Sequence, residues 1–139
     1  MFMGRYRRGG VYMRVFGSLC VLMLLGSAAL AQDAAGAFPG FCEEWMHKLE
    51  VREQNNVSHI KWESNGDGVS GEYIAYTHEH TCAVKDGTGS VPVGEIVYRE
   101  IRYEKRGGTQ VEAEQSTARP VETTEVTEIF RYDKGKWIY

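Results

Sequence analysis

The chain has 139 residues, with 16 Lys and Arg against 19 Asp and Glu, 42% apolar residues and three cysteines. This length fits one small domain and excludes a multidomain enzyme, and the apolar content excludes a disordered tail. The first 31 residues contain four arginines and no acidic residue, so the remaining 108 residues hold 12 basic and 19 acidic side chains, a net charge of −7. Binding to a phosphate backbone depends on clustered Lys and Arg, so nucleic acid is excluded as a partner.

The N-terminus has the pattern of a secretory signal peptide. Four arginines precede an apolar run from Val15 to Leu30, and Ala29-Leu30-Ala31 forms an A-x-A cleavage site. We therefore predict a signal peptide over residues 1–31, cleaved after Ala31, and a periplasmic or secreted protein of bacterial type without a stable membrane span after cleavage. An uncleaved membrane anchor is the alternative, but the run contains Gly and Ser and falls short of the roughly 20 apolar residues that a span needs.

Two cysteines, Cys42 and Cys82, remain after Cys20 is removed with the signal peptide. Exported proteins meet an oxidising environment, so we predict a disulfide between them. A bridge that closes a loop of this length stabilises a small domain by about 4 kcal/mol in the chain-entropy model. A reactive thiol and metal ligation are the alternatives, although neither residue belongs to a C-x-x-C pair.

The exported part divides into a tether and one domain. Residues 32–40 are mostly small, which predicts a flexible tether, and residues 41–139 form a single α+β domain. Apolar residues then recur at the three- and four-residue spacing of an amphipathic helix, which we expect to run about 14 residues and to end at Asn55-Asn56. The predicted apolar face consists of Phe41, Cys42, Trp45, Met46 and Leu49.

After the helix, β-branched and aromatic residues alternate with Gly-rich turns, which predicts strands. The strands are expected at 57–63, 70–84, 95–106, 121–132 and 136–139. The alternation changes parity near Arg99-Glu100, where we predict a bulge, and Gly107–Arg119 reads as an exposed loop. Within 70–84, the positions expected to face the helix are Ile74, Tyr76, Cys82 and Val84, and Tyr73 and Glu79 are expected to face outward.

One amphipathic helix and four to five antiparallel strands bury their apolar sides only against each other, which predicts an α+β roll. The last 13 residues, Thr127–Tyr139, form a strand, a tight turn and Gly-Lys-Trp. This hairpin resembles the closing hairpin of the NTF2-like, ketosteroid-isomerase-like superfamily, whose architecture is cystatin-like. The resemblance implies a helix-then-sheet roll and a homodimer as one arrangement of the fold. It identifies no active-site residue, because that superfamily contains both enzymes and binding proteins.

His78 and His80 form a His-x-His pair within the second predicted strand. Alternate residues of a strand share one face about 7 Å apart, so these imidazoles are candidate ligands for a transition metal, zinc or copper. A third ligand could come from His47, His59, Glu79 or an acidic residue on another strand, and no spacing selects among them. The alternative is that both histidines are hydrogen-bonded polar residues at the open end of a strand.

Acidic residues supply two further candidate sites. Glu63-x-Asn65-x-Asp67-Gly68 has the oxygen spacing of the first half of a calcium loop, but Ile74 stands where the bidentate acid belongs, so we predict a hairpin turn. The interleaved charges over 95–106 are expected to form cross-strand pairs on a solvated face. A buried carboxylate such as Glu63 or Glu128 would be needed for ketosteroid-isomerase-like catalysis in a pocket between helix and sheet.

These observations favour an exported, non-catalytic domain that binds a small ligand or a protein partner through the face or the edge of its sheet. The alternatives are a transition-metal-binding domain centred on His78 and His80, and a ketosteroid-isomerase-like enzyme. The sequence lacks a G-x-S-x-G elbow, a phosphate-binding loop and an H-E-x-x-H helix, so hydrolase, NTPase and zincin functions have no support.

Overall fold

The computed structural model describes residues 25–138. The predicted signal peptide lies mostly outside this range, so it stays a prediction. Among residues 25–138, no helix combines the length and the apolar character that crossing a membrane requires. In chain order, the elements are α1 (Leu25–Ser58), β1 (Lys61–Asn65), β2 (Gly68–Tyr76), β3 (Thr81–Asp86), a 3-10 turn (Thr88–Ser90), β4 (Pro92–Gly107), α2 (Gln110–Gln115), β5 (Arg119–Asp133) and β6 (Lys136–Ile138).

The strands form one curled antiparallel sheet, and α1 packs against one of its faces. The sheet order is β1-β2-β4-β5-β6, with β3 paired to β4 beyond the end of β2. The predicted α+β roll is therefore confirmed. The expected number of strands, four to five, is wrong because the predicted strand 70–84 is divided into β2 and β3, which gives six.

The helix is longer than predicted, and the flexible tether predicted at 32–40 is wrong. Those residues belong to α1, and the side chains of Ala34 and Phe38 are fully buried. They continue the four-residue spacing back from Cys42, so one apolar face extends along the helix. Gly36, Pro39 and Gly40 weaken helix propensity there, and packing against the sheet overrides that local preference.

At its other end α1 continues to Ser58, past the predicted stop at Asn55-Asn56. Asn56 lies in the last turn, and its Nδ2 donates a hydrogen bond of 2.9 Å to the Ile74 carbonyl oxygen. One turn earlier, the Glu53 carboxylate accepts from the Tyr76 backbone N–H at 2.9 Å. Both bonds satisfy backbone groups of β2 that β1 does not reach. Because the helix occupies residues up to Ser58, the first strand begins at Lys61, and its predicted position at 57–63 is wrong.

The core lies between α1 and the sheet face that it covers. The helix contributes one buried residue per turn from Ala34 to Leu49, which confirms the predicted apolar face from Phe41 onward. Tyr76 and Val84 pack against this core, as their predicted parity requires. The buried residues that the sheet contributes to this core are Ile96, Tyr98, Phe130 and Trp137.

Helix and sheet approach each other closely at Gly94. A Cβ at this position would lie 2.7 Å from Cζ of Phe38, closer than real Cβ contacts. The absence of a side chain on β4 therefore lets the Phe38 ring lie against the strand backbone. From this position onward the residues of β4 alternate regularly, so Ile96 and Tyr98 also face the helix.

The predicted bulge near Arg99-Glu100 is misplaced. The pairing of β4 with β5 is regular through Arg102↔Glu122 and shifts at the next pair, Tyr103↔Pro120, so the extra residue is Val121 on β5. The apolar residues of β4 change from even to odd positions because both faces of the strand are covered. Ile96 and Tyr98 face α1, whereas Ile101 and Tyr103 lie on the opposite face. There Tyr103 stacks on Tyr73 of β2, with ring centroids 5.5 Å apart.

The predicted loop 107–119 contains the short helix α2. Thr109 and Glu112 form a capping box, in which each side chain accepts a hydrogen bond from the other residue's backbone N–H. Ala113 is fully buried against Gly107, on the same sheet face as Tyr103. The T-x-x-E pattern was present in the sequence and was sufficient to predict this helix start.

Candidate functional site

The strands β2 and β3 lie along the same side of β4 and leave a gap between them. The pairing Tyr76↔Glu100 ends β2, and Thr81↔Val97 begins β3. Two residues of β4 therefore oppose the four residues 77–80, which form a large bulge. Thr77 stays attached to β4, since its N–H donates to the Arg99 carbonyl at 3.0 Å and its Oγ1 accepts from the Arg99 N–H at 3.1 Å.

His78 and His80 lie in this bulge, so their predicted place on a strand is wrong. Both side chains are exposed. The Nδ1 of His80 lies 2.7 Å from the carbonyl oxygen of His78. A carbonyl oxygen only accepts, so Nδ1 carries the proton and Nε2 has the free lone pair.

The other histidines predicted as metal ligands have different partners from His80. His78 approaches the Glu50 carboxylate at 3.5 Å, and His47 approaches the other oxygen of that carboxylate at 3.4 Å. His59 contacts the Asn55 carbonyl oxygen at 2.9 Å, at the end of α1. The structure therefore separates the side-chain environments of His78 and His80.

His80 lies instead beside the two cysteines. Cys42 and Cys82 are at disulfide distance, with their Cα atoms 6.4 Å apart, as predicted. A ring nitrogen of His80 and both sulfurs lie within 4.8 Å of one another. The pair is asymmetric, because Cys42 is 2% exposed in the core whereas Cys82 is exposed at the start of β3. The sequence does contain a signal for this proximity, because His80 stands only two residues before Cys82, which the sequence already assigns to a bridge with Cys42.

A small pocket of about 210 Å³ adjoins the bulge. The residues that line it include Glu79, His80, Tyr98, Arg99 and Glu125. The Tyr98 hydroxyl donates to the Glu128 carboxylate at 3.2 Å. Burial raises the pKa of Tyr98 above its ordinary value, and the negative charge of Glu128 raises it further, so this phenol is neutral and acts as a hydrogen-bond donor.

The two carboxylates considered for catalysis have different surroundings. Glu63 is exposed on β1, and Glu128 is half-buried and accepts from Tyr98. A groove of about 480 Å³ lies between α1 and β3. The residues that line it are Ala35, Phe38, Pro39, Cys42, Cys82 and Val84. No carboxylate is among them, so this groove lacks the acid or base that an isomerase pocket needs.

The predicted calcium half-loop is a hairpin turn. Asn65 pairs with Gly68 at the end of the β1–β2 ladder, and the Asn65 side-chain oxygen accepts a hydrogen bond of 3.1 Å from the Asp67 N–H. The expected cross-strand ion pairs are confirmed for Arg102, which contacts Glu72 at 3.0 Å and Glu122 at 2.9 Å. These acidic residues are therefore accounted for by turn geometry and by surface charge pairing.

One edge of the sheet is open over most of its length. β5 pairs with β4 on one side, and on the other side it pairs with β6 only from Arg131 to Asp133. Within the described residues, no strand covers the second side of β5 over residues 119–130. The edge carries Glu122, Glu125 and Glu128 among threonines and is mostly exposed. An unpaired edge of this length is a template for adding another strand.

The chain matches no protein-family model, no curated protein and no solved structure.

Proposed function

We propose that the protein is an exported, non-catalytic domain that binds an extended, basic segment of a partner protein along the free edge of β5. The observation that supports this proposal is the unpaired stretch 119–130. From Glu122 to Phe130, beyond Pro120 and the bulge at Val121, this edge provides backbone donors and acceptors in register for an added strand, which is a common mode of peptide recognition. The partner's affinity would come from backbone hydrogen bonds, and its specificity from alternate side chains.

The charges on β5 select the chemistry of the partner. Glu125 projects to the face opposite α1, whereas Glu122 and Glu128 lie on the α1 face, because successive strand residues alternate. Arg102 neutralises part of this charge, but it is shared between Glu122 and Glu72. A segment with Lys or Arg on both faces would complement the remaining negative charge, and a second acidic strand would be repelled.

Export is part of the same proposal. The pattern of residues 1–31 supports a secretory signal peptide with cleavage after Ala31, and the Cys42–Cys82 pair at disulfide distance is suited to an oxidising compartment. Cleavage there would leave α1 beginning near Gln32, with Asp33 in its first turn, where an acidic side chain interacts favourably with the helix dipole. The periplasm and the external medium are the two destinations compatible with these features.

The test uses protein expressed from the full-length sequence and recovered in the form the cell processes. The probe is a synthetic ten-residue peptide in which pairs of lysines alternate with pairs of valines, so that lysine lies on both faces of the extended chain, and the matched control replaces each lysine with glutamate. We expect the lysine peptide to protect amides of β5 from hydrogen exchange and to bind at least about tenfold more tightly than its control, with affinity that falls as salt is added.

A second control carries N-methyl groups on alternate residues, which removes backbone donors and should abolish binding if a strand is added. The variant E125K should weaken binding of the lysine peptide. The proposal fails if neither peptide protects β5, or if both bind equally. It also fails if the β5 amides are already protected without peptide and sedimentation shows a dimer, since the edge would then be a homodimer interface.

A further inference from the structure

The structure contains a group of three metal-ligating side chains that includes the disulfide itself. The sulfurs of Cys42 and Cys82 and a ring nitrogen of His80 lie within 4.8 Å of one another. A disulfide sulfur is uncharged and a poor metal ligand, whereas a thiolate is a strong one. We propose that reduction of the bridge converts this group into a zinc site, so that the protein exchanges a structural disulfide for a bound metal ion.

Access to the bridge is the first requirement, and one of the two cysteine residues is exposed. Cys82 is exposed at the start of β3, whereas Cys42 is buried on α1. An external dithiol can therefore attack the Cys82 sulfur, forming a mixed disulfide and releasing Cys42. The second thiol of the reductant then closes its own disulfide and releases Cys82. Two electrons and two protons pass to the protein, and the reductant is oxidised.

The second requirement is a ligand set that suits zinc. Thiolates are soft ligands and imidazole is a borderline one, and the borderline-soft Zn²⁺ binds such sets tetrahedrally with Zn–S distances of about 2.3 Å. The two sulfurs of a tetrahedral site lie about 3.8 Å apart at that bond length. Cα atoms 6.4 Å apart allow this separation through side-chain rotation alone. Zn²⁺ displaces one proton from each thiol as it binds.

The third requirement is an oriented imidazole. The Nδ1–H of His80 is held by the His78 carbonyl oxygen at 2.7 Å, so Nε2 carries the lone pair. Ligating histidines usually donate their other N–H to a carbonyl or a carboxylate, which fixes the ring. Both cysteines line the groove of about 480 Å³ between α1 and β3, which has room for water at a fourth position. This inference does not depend on partner binding at β5.

The experiment measures Zn²⁺ binding to the oxidised and reduced protein by competition with a chromophoric chelator. We expect one ion per chain in the reduced protein and no site in the oxidised one. Co²⁺ should give thiolate charge-transfer and tetrahedral d–d bands only after reduction. At a free zinc concentration 100 times the Kd, the ratio of reduced to oxidised protein in a thiol redox buffer should rise about 100-fold.

The matched variants are H80A and H78A, two positions on the same bulge. We expect H80A to weaken zinc binding at least about tenfold, and H78A to leave it unchanged, since its side chain is not a ligand and its carbonyl is retained. Circular dichroism of the reduced protein shows whether it stays folded. Equal affinities of the two variants, absence of zinc binding after reduction, or binding only by an unfolded reduced chain would each overturn the proposal.

Discussion

The indole N–H of Trp137 donates a hydrogen bond of 3.0 Å to the backbone carbonyl oxygen of Ala34. This buried bond joins the last strand to the part of α1 that precedes Phe38, although the two residues are 103 positions apart in the sequence. Trp137 also packs on Phe38, with ring centroids 4.7 Å apart. The turn of α1 that contains Ala34 is therefore part of the fold, and its removal should affect the whole domain.

Replacing Trp137 with Phe tests the contribution of this hydrogen bond. The smaller ring retains most of the packing but loses the donor, so we expect the free energy of unfolding to fall by about 1–3 kcal/mol. Urea denaturation measures the change. The control is W62F on β1, where Trp62 is only half-buried and a smaller loss is expected. Equal losses in the two variants would show that the bond to Ala34 contributes nothing specific.

The helix over residues 32–40 predicts a large effect at Phe38. Replacing this fully buried residue with Ala should destabilise the protein by about 3–5 kcal/mol, because it leaves a cavity among the aromatic rings of the core. The neighbouring variant A37G, at an exposed helical position, should cost only about 1 kcal/mol. Thermal or urea unfolding distinguishes the two values. A flexible tether would instead make both substitutions neutral.

The close approach at Gly94 gives a third prediction. In G94A the new methyl group would collide with the Phe38 ring, and we expect a loss of about 1–3 kcal/mol through overpacking. In the double variant G94A/F38L the smaller side chain should recover part of that loss, so the two changes should be non-additive. The control is G40A, where a Cβ has open space and helix propensity favours alanine. That variant should be at least as stable as the parent.

Tyr98 predicts how stability depends on alkaline pH. Burial, and then the charge of Glu128, raise the pKa of Tyr98 in the folded protein above its ordinary value of 10.0. The folded state thus favours the neutral phenol, and this contribution is fully present below pH 10.0 and is lost as the pH rises above it.

The variant Y98F tests this dependence, since phenylalanine does not ionise. At neutral pH it should be less stable by about 1 kcal/mol, because the hydrogen bond to Glu128 is lost. As the pH rises above 10.0, the parent should lose its advantage while Y98F shows a smaller decline. Unfolding free energies measured by urea denaturation at several pH values give both curves. Parallel curves would contradict the role assigned to Tyr98.

The sequence by itself determined the elements whose signals are local. The amphipathic spacing from Phe41 to Leu49 marked the buried face of α1, and the strand composition of 121–132 marked most of β5. Asp133-Lys134-Gly135 marked the last hairpin, where Lys134 and Gly135 both have positive φ, as a two-residue turn requires. The pairing of Cys42 with Cys82 followed from counting the cysteines outside the predicted signal peptide. Each of these inferences depends on spacing, turn chemistry or number alone.

Only the tertiary structure decided which residues meet. Residues 32–40 have weak helix propensity and became helical because Ala34 and Phe38 are buried against the sheet. The predicted strand 70–84 is interrupted because β2 and β3 pair with different parts of β4, and this interruption moves His80 from a strand face to the side of the disulfide. Contacts between residues distant in the chain depend on packing and strand register, and no local pattern specifies them.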